Sequence, residues 1–197
     1  MDLDTAQRYA AHILGWLRPH CDRLEVAGSI RRGRPVCNDV DIVCIPCLTE
    51  YKDLLGHVTG RQNQVHMFLL NYVADYQARH PGNMGQEQVR VISGGETVGK
   101  QMIVQLPKCQ LDVWFATEAT FASLLLCRTG SKEHNIWLCQ RAVERDIHWN
   151  PYEGLSDQGG VLPARSEEEL YKHLGLAFIE PKNRELPWIQ KNLEYGL

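Results

Sequence analysis

Apolar residues recur at helical spacing near the start of the chain, where Ala6, Tyr9, Ala10, Ile13, Leu14 and Leu17 share one side of the span 5–18. This predicts an amphipathic helix with Asp4 or Thr5 as N-cap and Pro19 as its stop. A short apolar run at 24–26 then leads into Ala27, Gly28 and Ser29, a small-residue turn suited to opening a helix. The unbroken run Val40 to Ile45 reads as a strand buried on both faces. Helical spacing is expected again over 51–58 and over 65–79, the second ended by His80, Pro81 and Gly82.

Alternation then takes over. Runs at 88–92, 100–106 and 109–116, separated by turns at 93–96 and at Pro107–Lys108, predict a three-stranded meander. Helical periodicity returns over 118–127, 132–145 and 166–174, the last with Ser166 as cap and Glu169 at the capping-box position. The expected architecture is an α+β core over residues 1–116 followed by a small, mostly helical module over 117–197.

Composition narrows the class. At 197 residues and 44% hydrophobic, the chain can bury a substantial core. No apolar run approaches the roughly 20 residues of a membrane span, and Asp2 and Asp4 near the start do not resemble a secretory signal, so a cytoplasmic location and no membrane partner are expected. Seven cysteines, an odd number lying mostly in apolar runs, are expected as free thiols. Cys44 and Cys47 form a CxxC with no second pair at zinc-finger spacing, and the eight histidines form no recognisable ligand set; most are expected at the surface or at helix caps. A net charge of −3 excludes a broadly basic nucleic-acid binder, because neutralising several phosphates takes an excess of Lys and Arg. Any basic surface must be local.

The candidate chemistry begins with Asp39 and Asp41. Alternate residues of a strand project the same way, so these carboxylates share a face, where their mutual repulsion favours a divalent cation between them. Such a pair alone is common on surface strands. Asp112 adds weight, because it interrupts an apolar run that would bring a third carboxylate to the same spot if the two strands paired. Three carboxylates can bridge two cations about 4 Å apart, the arrangement used for in-line nucleotidyl transfer. Ten residues before Asp39, Gly28 permits close backbone approach, Ser29 offers a hydroxyl, and Arg32 offers a planar fork for phosphate oxygens. Asn38 tolerates unusual backbone angles that a phosphate-gripping turn can require.

With these residues in place, the segment Gly28 to Ile45, GSIRRGRPVCNDVDIVCI, resembles the palm signature of polymerase-beta-type nucleotidyltransferases. The run Thr129-Gly130-Ser131-Lys132-Glu133-His134-Asn135, with 150–155, 166–181 and Ser93 to Thr97, resembles the corresponding parts of family X DNA polymerases, so the similarity extends from about residue 24 to 186. The resemblance implies metal ligation by Asp39, Asp41 and Asp112 for two Mg²⁺, which Mn²⁺ can replace. It implies nucleotide binding by Gly28, Ser29, Arg32, Asn38, Thr129, Gly130, Ser131 and Asn135, the last toward the incoming base. Lys100, Arg128 and Lys132 are the candidate DNA contacts.

The implied activity is template-directed addition of deoxynucleotides to a primer 3′ hydroxyl, filling short gaps in DNA repair. The implied partners are a nucleoside triphosphate and primer-template or gapped DNA. The chain is expected to act as a monomer holding palm and thumb alone, without the lyase and helix-hairpin-helix domains of larger relatives, and with a helper protein to deliver DNA. Several positions depart from the pattern. Cys127 and Arg128 stand where an aromatic pair is usual, which predicts weak discrimination against ribonucleotides; Cys139, Trp114 and Gln110 stand where arginine or lysine is frequent. These departures keep open a template-independent transferase acting on a nucleic-acid end or a protein, and a catalytically silent binding module that the intact aspartate trio argues against.

Overall fold

The computed structural model describes residues 1–81, 88–94 and 100–185. Helix α1 (Leu3–Leu17) turns Ala6, Ala10, Ile13 and Leu17 inward. Its cap is Asp2 rather than the expected Asp4 or Thr5: the Asp2 side chain accepts from the Thr5 N–H at 2.9 Å, and Pro19 lies in a following 3₁₀ turn. Strand β1 (Cys21–Val26), the one-turn helix α2 (Gly28–Arg31) and strand β2 (Asp39–Pro46) follow.

The helix expected over 51–58 is not formed. The segment is a hairpin of β3 (Leu48–Lys52) and β4 (Val58–Asn63). The Asp53 side chain accepts from the N–H groups of Leu55 and His57, both at 2.9 Å, and Gly56 adopts φ 84°, which closes a turn. Leu54 and Leu55, read as an apolar helix face, are exposed at its tip. Local side-chain hydrogen bonding here overrides the apolar spacing.

Helix α3 (Gln64–Arg79) starts at Asn63, whose side chain accepts from the His66 N–H at 3.0 Å. The meander appears as expected in β5 (Arg90–Ser93), β6 (Gln101–Gln105) and β7 (Gln110–Phe115); the turn placed at 93–96 lies partly outside the described residues. These strands join β1 and β2 in a mixed sheet of order β1-β2-β7-β6-β5, in which only β2 and β7 run parallel.

Alternation along β2 and β7 sorts the two faces of this sheet. Val40, Ile42, Leu111 and Val113 pack under α1 and α3. On the opposite face Val43, Ile45 and Trp114 meet Phe121, Leu124 and Leu125 of α4 (Phe121–Thr129). The other side of α4 supplies Ala122 and Leu126 to a second core with Trp137 and Leu138 of α5 (Lys132–Val143), and with Leu170 and Tyr171 of α6 (Glu167–His173). Beside these helices lies a three-stranded antiparallel sheet of β8 (His148–Asn150), β9 (Gly154–Asp157) and β10 (Gly160–Leu162), strands too short to be read from sequence periodicity. Ser166 caps α6 as expected, accepting from Glu169 N–H at 3.3 Å, while the Glu169 carboxylate reaches back to Arg165 N–H. All seven cysteines are free, and among the described residues no helix is long and apolar enough to cross a membrane.

Charged side chains lock the two cores together. Arg31 binds Glu167 through both guanidinium nitrogens, at 3.0 and 2.6 Å, and Arg184 approaches the same carboxylate at 2.7 Å. Burial pushes the Glu167 carboxyl up, but hydrogen bonds from Arg31 and Arg184, with their charges, outweigh it and leave the group below its usual range. His134 is buried, unlike the surface or cap position expected of most of the histidines, and its Nε2 lies 2.6 Å from the Tyr171 hydroxyl. Burial, reinforced by the Arg184 charge, depresses its pKa to about 3.

Two stability predictions follow from this packing. Leu124→Ala, which opens a cavity between sheet and α4, is expected to cost about 2–5 kcal/mol in urea unfolding, whereas Leu54→Ser at the hairpin tip stays within about 0.5 kcal/mol. The buried histidine sets a pH dependence. Unfolded His134 takes up a proton near 6.5 and the folded protein resists doing so until about 3, so the unfolded state binds the extra proton between these values. Stability present above 6.5 therefore drains as pH falls, by up to about 1.4 kcal/mol per unit from this group. In His134→Gln, unfolding free energy measured from pH 7 downward is expected to lose part of that slope; an unchanged slope would refute the assignment.

Candidate active site

Strand β2 opens with Asp39 and Asp41, and the parallel register sets Asp41 directly beside Asp112 of β7, with Asp39 beside Gln110. Alternation sends Asp41 and Asp112 to the face carrying Val43 and Trp114, next to α4. The Asp112 carboxylate accepts from Gln110 Nε2 at 2.7 Å, and Asp41 Oδ1 accepts from Trp114 Nε1 at 3.3 Å. Burial, then the charge of Asp39 and more weakly that of Asp112, pushes the Asp41 carboxyl up to about 7. Burial and Asp39 also raise Asp112, against the Gln110 hydrogen bond.

These shifts describe acids whose ionised forms are destabilised by one another. Hard carboxylate oxygens with uncompensated mutual repulsion are the donor set that suits a small divalent cation. Among the described residues no group of three or more His, Cys, Asp or Glu side chains is drawn together closely enough to hold a metal ion; what the strands fix is that the aspartates share a sheet face.

The loop before β2 is built against the cluster. The Ala27 N–H donates to the Asp41 carbonyl at 2.8 Å, and Gly28 has φ 60°. A Cβ on Gly28 would stand 2.0 Å from Asp41 Oδ2, so both backbone conformation and space demand glycine. Ser29 Oγ is buried without a hydrogen-bond partner. Asn38 is an exposed bend residue without positive φ; the left-handed turn expected of it falls to Gly33, φ 69°.

The arginines of this loop are already engaged. Arg32, expected to meet phosphate, donates from Nε to Glu185 at 2.8 Å and from Nη1 to the Thr129 carbonyl. Arg31 donates to Thr129 Oγ1 at 2.8 Å and Arg34 to Glu185 at 3.3 Å. Thr129, Gly130 and Ser131 thus approach the Gly28 loop, and Ser131 caps α5 by accepting from His134 N–H at 3.3 Å. Asn135 donates to the Cys127 carbonyl at 2.8 Å while its Oδ1 is buried and unpartnered. With exposed Lys132, Ile136, Cys139 and Val143 it lines an open groove of about 830 Å³ along α5.

Of the residues expected to grip DNA, only Lys132 lies free on the surface. Arg128 is turned inward, its guanidinium carbon 3.4 Å from the Trp114 ring centroid, and the exposed Lys100 places Nζ 4.4 Å over the ring of Tyr152. Sequence reasoning missed Glu167, Glu185 and Tyr152, whose partners lie far away along the chain and leave no local pattern.

The family model for the DNA polymerase beta thumb matches residues 124–185. DNA polymerase/3′-5′ exonuclease PolX of Bacillus subtilis (strain 168) is 35% identical over 169 residues, 84% of this chain and 25% of the relative. DNA polymerase lambda of Rattus norvegicus is 26% identical over 174 residues, 80% of this chain and 28% of the relative. The chain therefore spans about a quarter of the length of the curated relatives it matches. A crystal structure of Leishmania infantum polymerase beta, described as a ternary P/T complex, superposes with a TM-score of 0.62 at 17% identity, covering 94% of this chain and 77% of that one. The fold is the polymerase-beta fold, residues 124–185 match the polymerase beta thumb, and the chain is similar to family X DNA polymerases over most of its length.

The geometry around Gly28 yields a direct test. Gly28→Ala forces a methyl onto Asp41 in a conformation disfavoured for L-residues, and is expected to cost about 1–3 kcal/mol in urea unfolding. Wild-type stability in this variant would show that the loop does not press on the carboxylate.

Proposed function

We propose that the chain catalyses template-directed addition of deoxynucleotides to a primer 3′ hydroxyl, filling short gaps in DNA repair. The observation that carries the reading is the parallel register of β2 and β7, which sets Asp41 against Asp112 with Asp39 at the same strand end. In this reading the three aspartates hold two Mg²⁺, or Mn²⁺ in their place, and bound cations would supply activation of the attacking hydroxyl and charge neutralisation on the leaving pyrophosphate. Residues 1–116 act as palm and 117–197 as thumb.

The protein's own groups do the positioning. Gly28 lets the loop backbone pass close to Asp41, and the unpartnered Ser29 hydroxyl donates to phosphate. Arg32 meets the triphosphate by exchanging Glu185 for phosphate oxygens, a trade of one anion for another. Asn135 turns toward the base and the Thr129 to Ser131 segment borders the sugar. Lys132 contacts DNA from the exposed start of α5, and Lys100 adds a second cation on the palm side. With a net charge of −3 and no excess of cations over acids, a monomer acting with a DNA-delivering helper protein is the expected working form.

Primer extension across a one-nucleotide gap, with Mg²⁺ or Mn²⁺, tests this. Complementary incorporation alone is expected, with weak discrimination against ribonucleotides because Cys127 and Arg128 occupy the aromatic positions. Asp112→Asn is expected to reduce extension by at least about 10³-fold while leaving urea unfolding cooperative. Turnover like wild type in that variant refutes the reading, and incorporation indifferent to the template assigns a template-independent transferase instead.

A further inference from the structure

A line of stacked groups runs from the surface to Asp41. Lys100 precedes β6, and its ammonium lies 4.4 Å above the ring of Tyr152 in the β8–β9 turn. The Tyr152 hydroxyl accepts from Arg128 Nη2 at 3.2 Å. Arg128, in the last turn of α4, lays its guanidinium 3.4 Å over the Trp114 ring, and the Trp114 indole N–H points to Asp41 Oδ1 at 3.3 Å. Among the described residues Arg128 makes no ion pair with a carboxylate, and its Nε is buried without a partner. Its charge is therefore left to the aromatic face and to the aspartates beyond it, whose ionised forms it favours.

Trp114 is buried against Phe121, Leu124 and Leu125, which pack against its ring on the side of α4. Phenylalanine would keep an aromatic face at this position, but only tryptophan adds a donor at the carboxylate. Asp41 is confined on its other side, where Oδ2 faces Gly28. A cation over the indole face draws on its π density and strengthens the N–H as a donor, so Arg128 acts on Asp41 through the ring.

We propose that Trp114 and Arg128 form a single positioning unit for Asp41, in which the indole N–H sets the carboxylate's orientation and the guanidinium, anchored through Tyr152, holds the indole. Because Arg128 immediately precedes Thr129, Gly130 and Ser131, the unit couples the placement of that turn to the orientation of Asp41. Both are positioning residues, and the inference rests on the reading that Asp41 is a cation ligand.

Two measurements test it. The first is Mn²⁺ affinity of the protein without nucleotide or DNA, read from free Mn²⁺ by electron paramagnetic resonance, alongside gap-filling kinetics. Trp114→Phe, which keeps the ring and loses the donor, is expected to weaken Mn²⁺ binding and lower kcat by about tenfold each, with KM for the triphosphate within about twofold. Arg128→Gln is expected to lose about fivefold in both, and Arg128→Lys to recover part of that loss. The second is the indole N–H resonance absent from Trp114→Phe, one of five tryptophans in the chain, which is expected to shift in both Asp41→Asn and Arg128→Gln.

Unchanged Mn²⁺ affinity and kcat in Trp114→Phe overturn the proposal, as does a resonance indifferent to both substitutions. Should the wild-type protein neither bind Mn²⁺ nor extend a primer, the proposed activity and the positioning role fall together. The resonance still decides separately whether Asp41, Trp114 and Arg128 are in contact.

Discussion

The carboxylate of Glu167 is the point on which the arrangement turns. Only 5% exposed, it is shared between Arg31, from the loop that borders the aspartates, and Arg184, fully buried near the end of the described chain. A buried charge of this kind is tolerable only when its partners and hydrogen bonds are complete, and losing one partner from such a set typically costs about 3–5 kcal/mol. The Arg184 guanidinium also lies within 6 Å of the ring centroids of Tyr171 and Phe178, so the ion set and the second apolar core stabilise each other. The consequence reaches the site directly. Arg31 can hold Thr129 Oγ1 only while Glu167 holds Arg31, and Arg32 and Arg34 converge on Glu185 from the same loop.

In a chain of net charge −3 the arginines of this loop are gathered at one place. The acidic residues are not spread against the loop's arginines at random; Glu167 and Glu185 neutralise them in pairs and fix them at the junction of the two cores. Beside the same loop Asp41 and Asp112 share a sheet face with Asp39, and burial, then the charge of Asp39, raises the carboxyls of Asp41 and Asp112 above their usual range. A strongly polarised junction thus exists within an almost balanced molecule, and bulk charge alone carried no trace of it.

What could be read from sequence followed the range of the forces involved. The run Val40 to Ile45 and the meander were legible because strand alternation repeats every two residues, and the same rule carried Asp39, Asp41 and Asp112 to one sheet face. The segment 51–58 was misread because Leu54 and Leu55 imitate a helix stripe, whereas Asp53 folds the backbone through hydrogen bonds that have no period. The short strands β8 to β10 were hidden by their length. Arg32 was legible as a phosphate fork, but its link to Glu185 spans 153 residues and nothing local announces it. Trp114 and Arg128 were read as two unrelated departures from a family pattern. In space they are one stacked pair, aromatic and cation having exchanged sides.

Helix α4 presents no broad solvent face: Phe121 to Leu126 are all buried, some against the mixed sheet and some against the second core. Chain order invites a cut near residue 117, but physical separation there would strip Val43, Ile45 and Trp114 from their partners and leave an apolar strip on each fragment. Exposed strips of that kind drive proteins out of solution. The two lobes therefore share a single upholstered hinge plate, and the molecule is divisible in description but not with a protease or a stop codon.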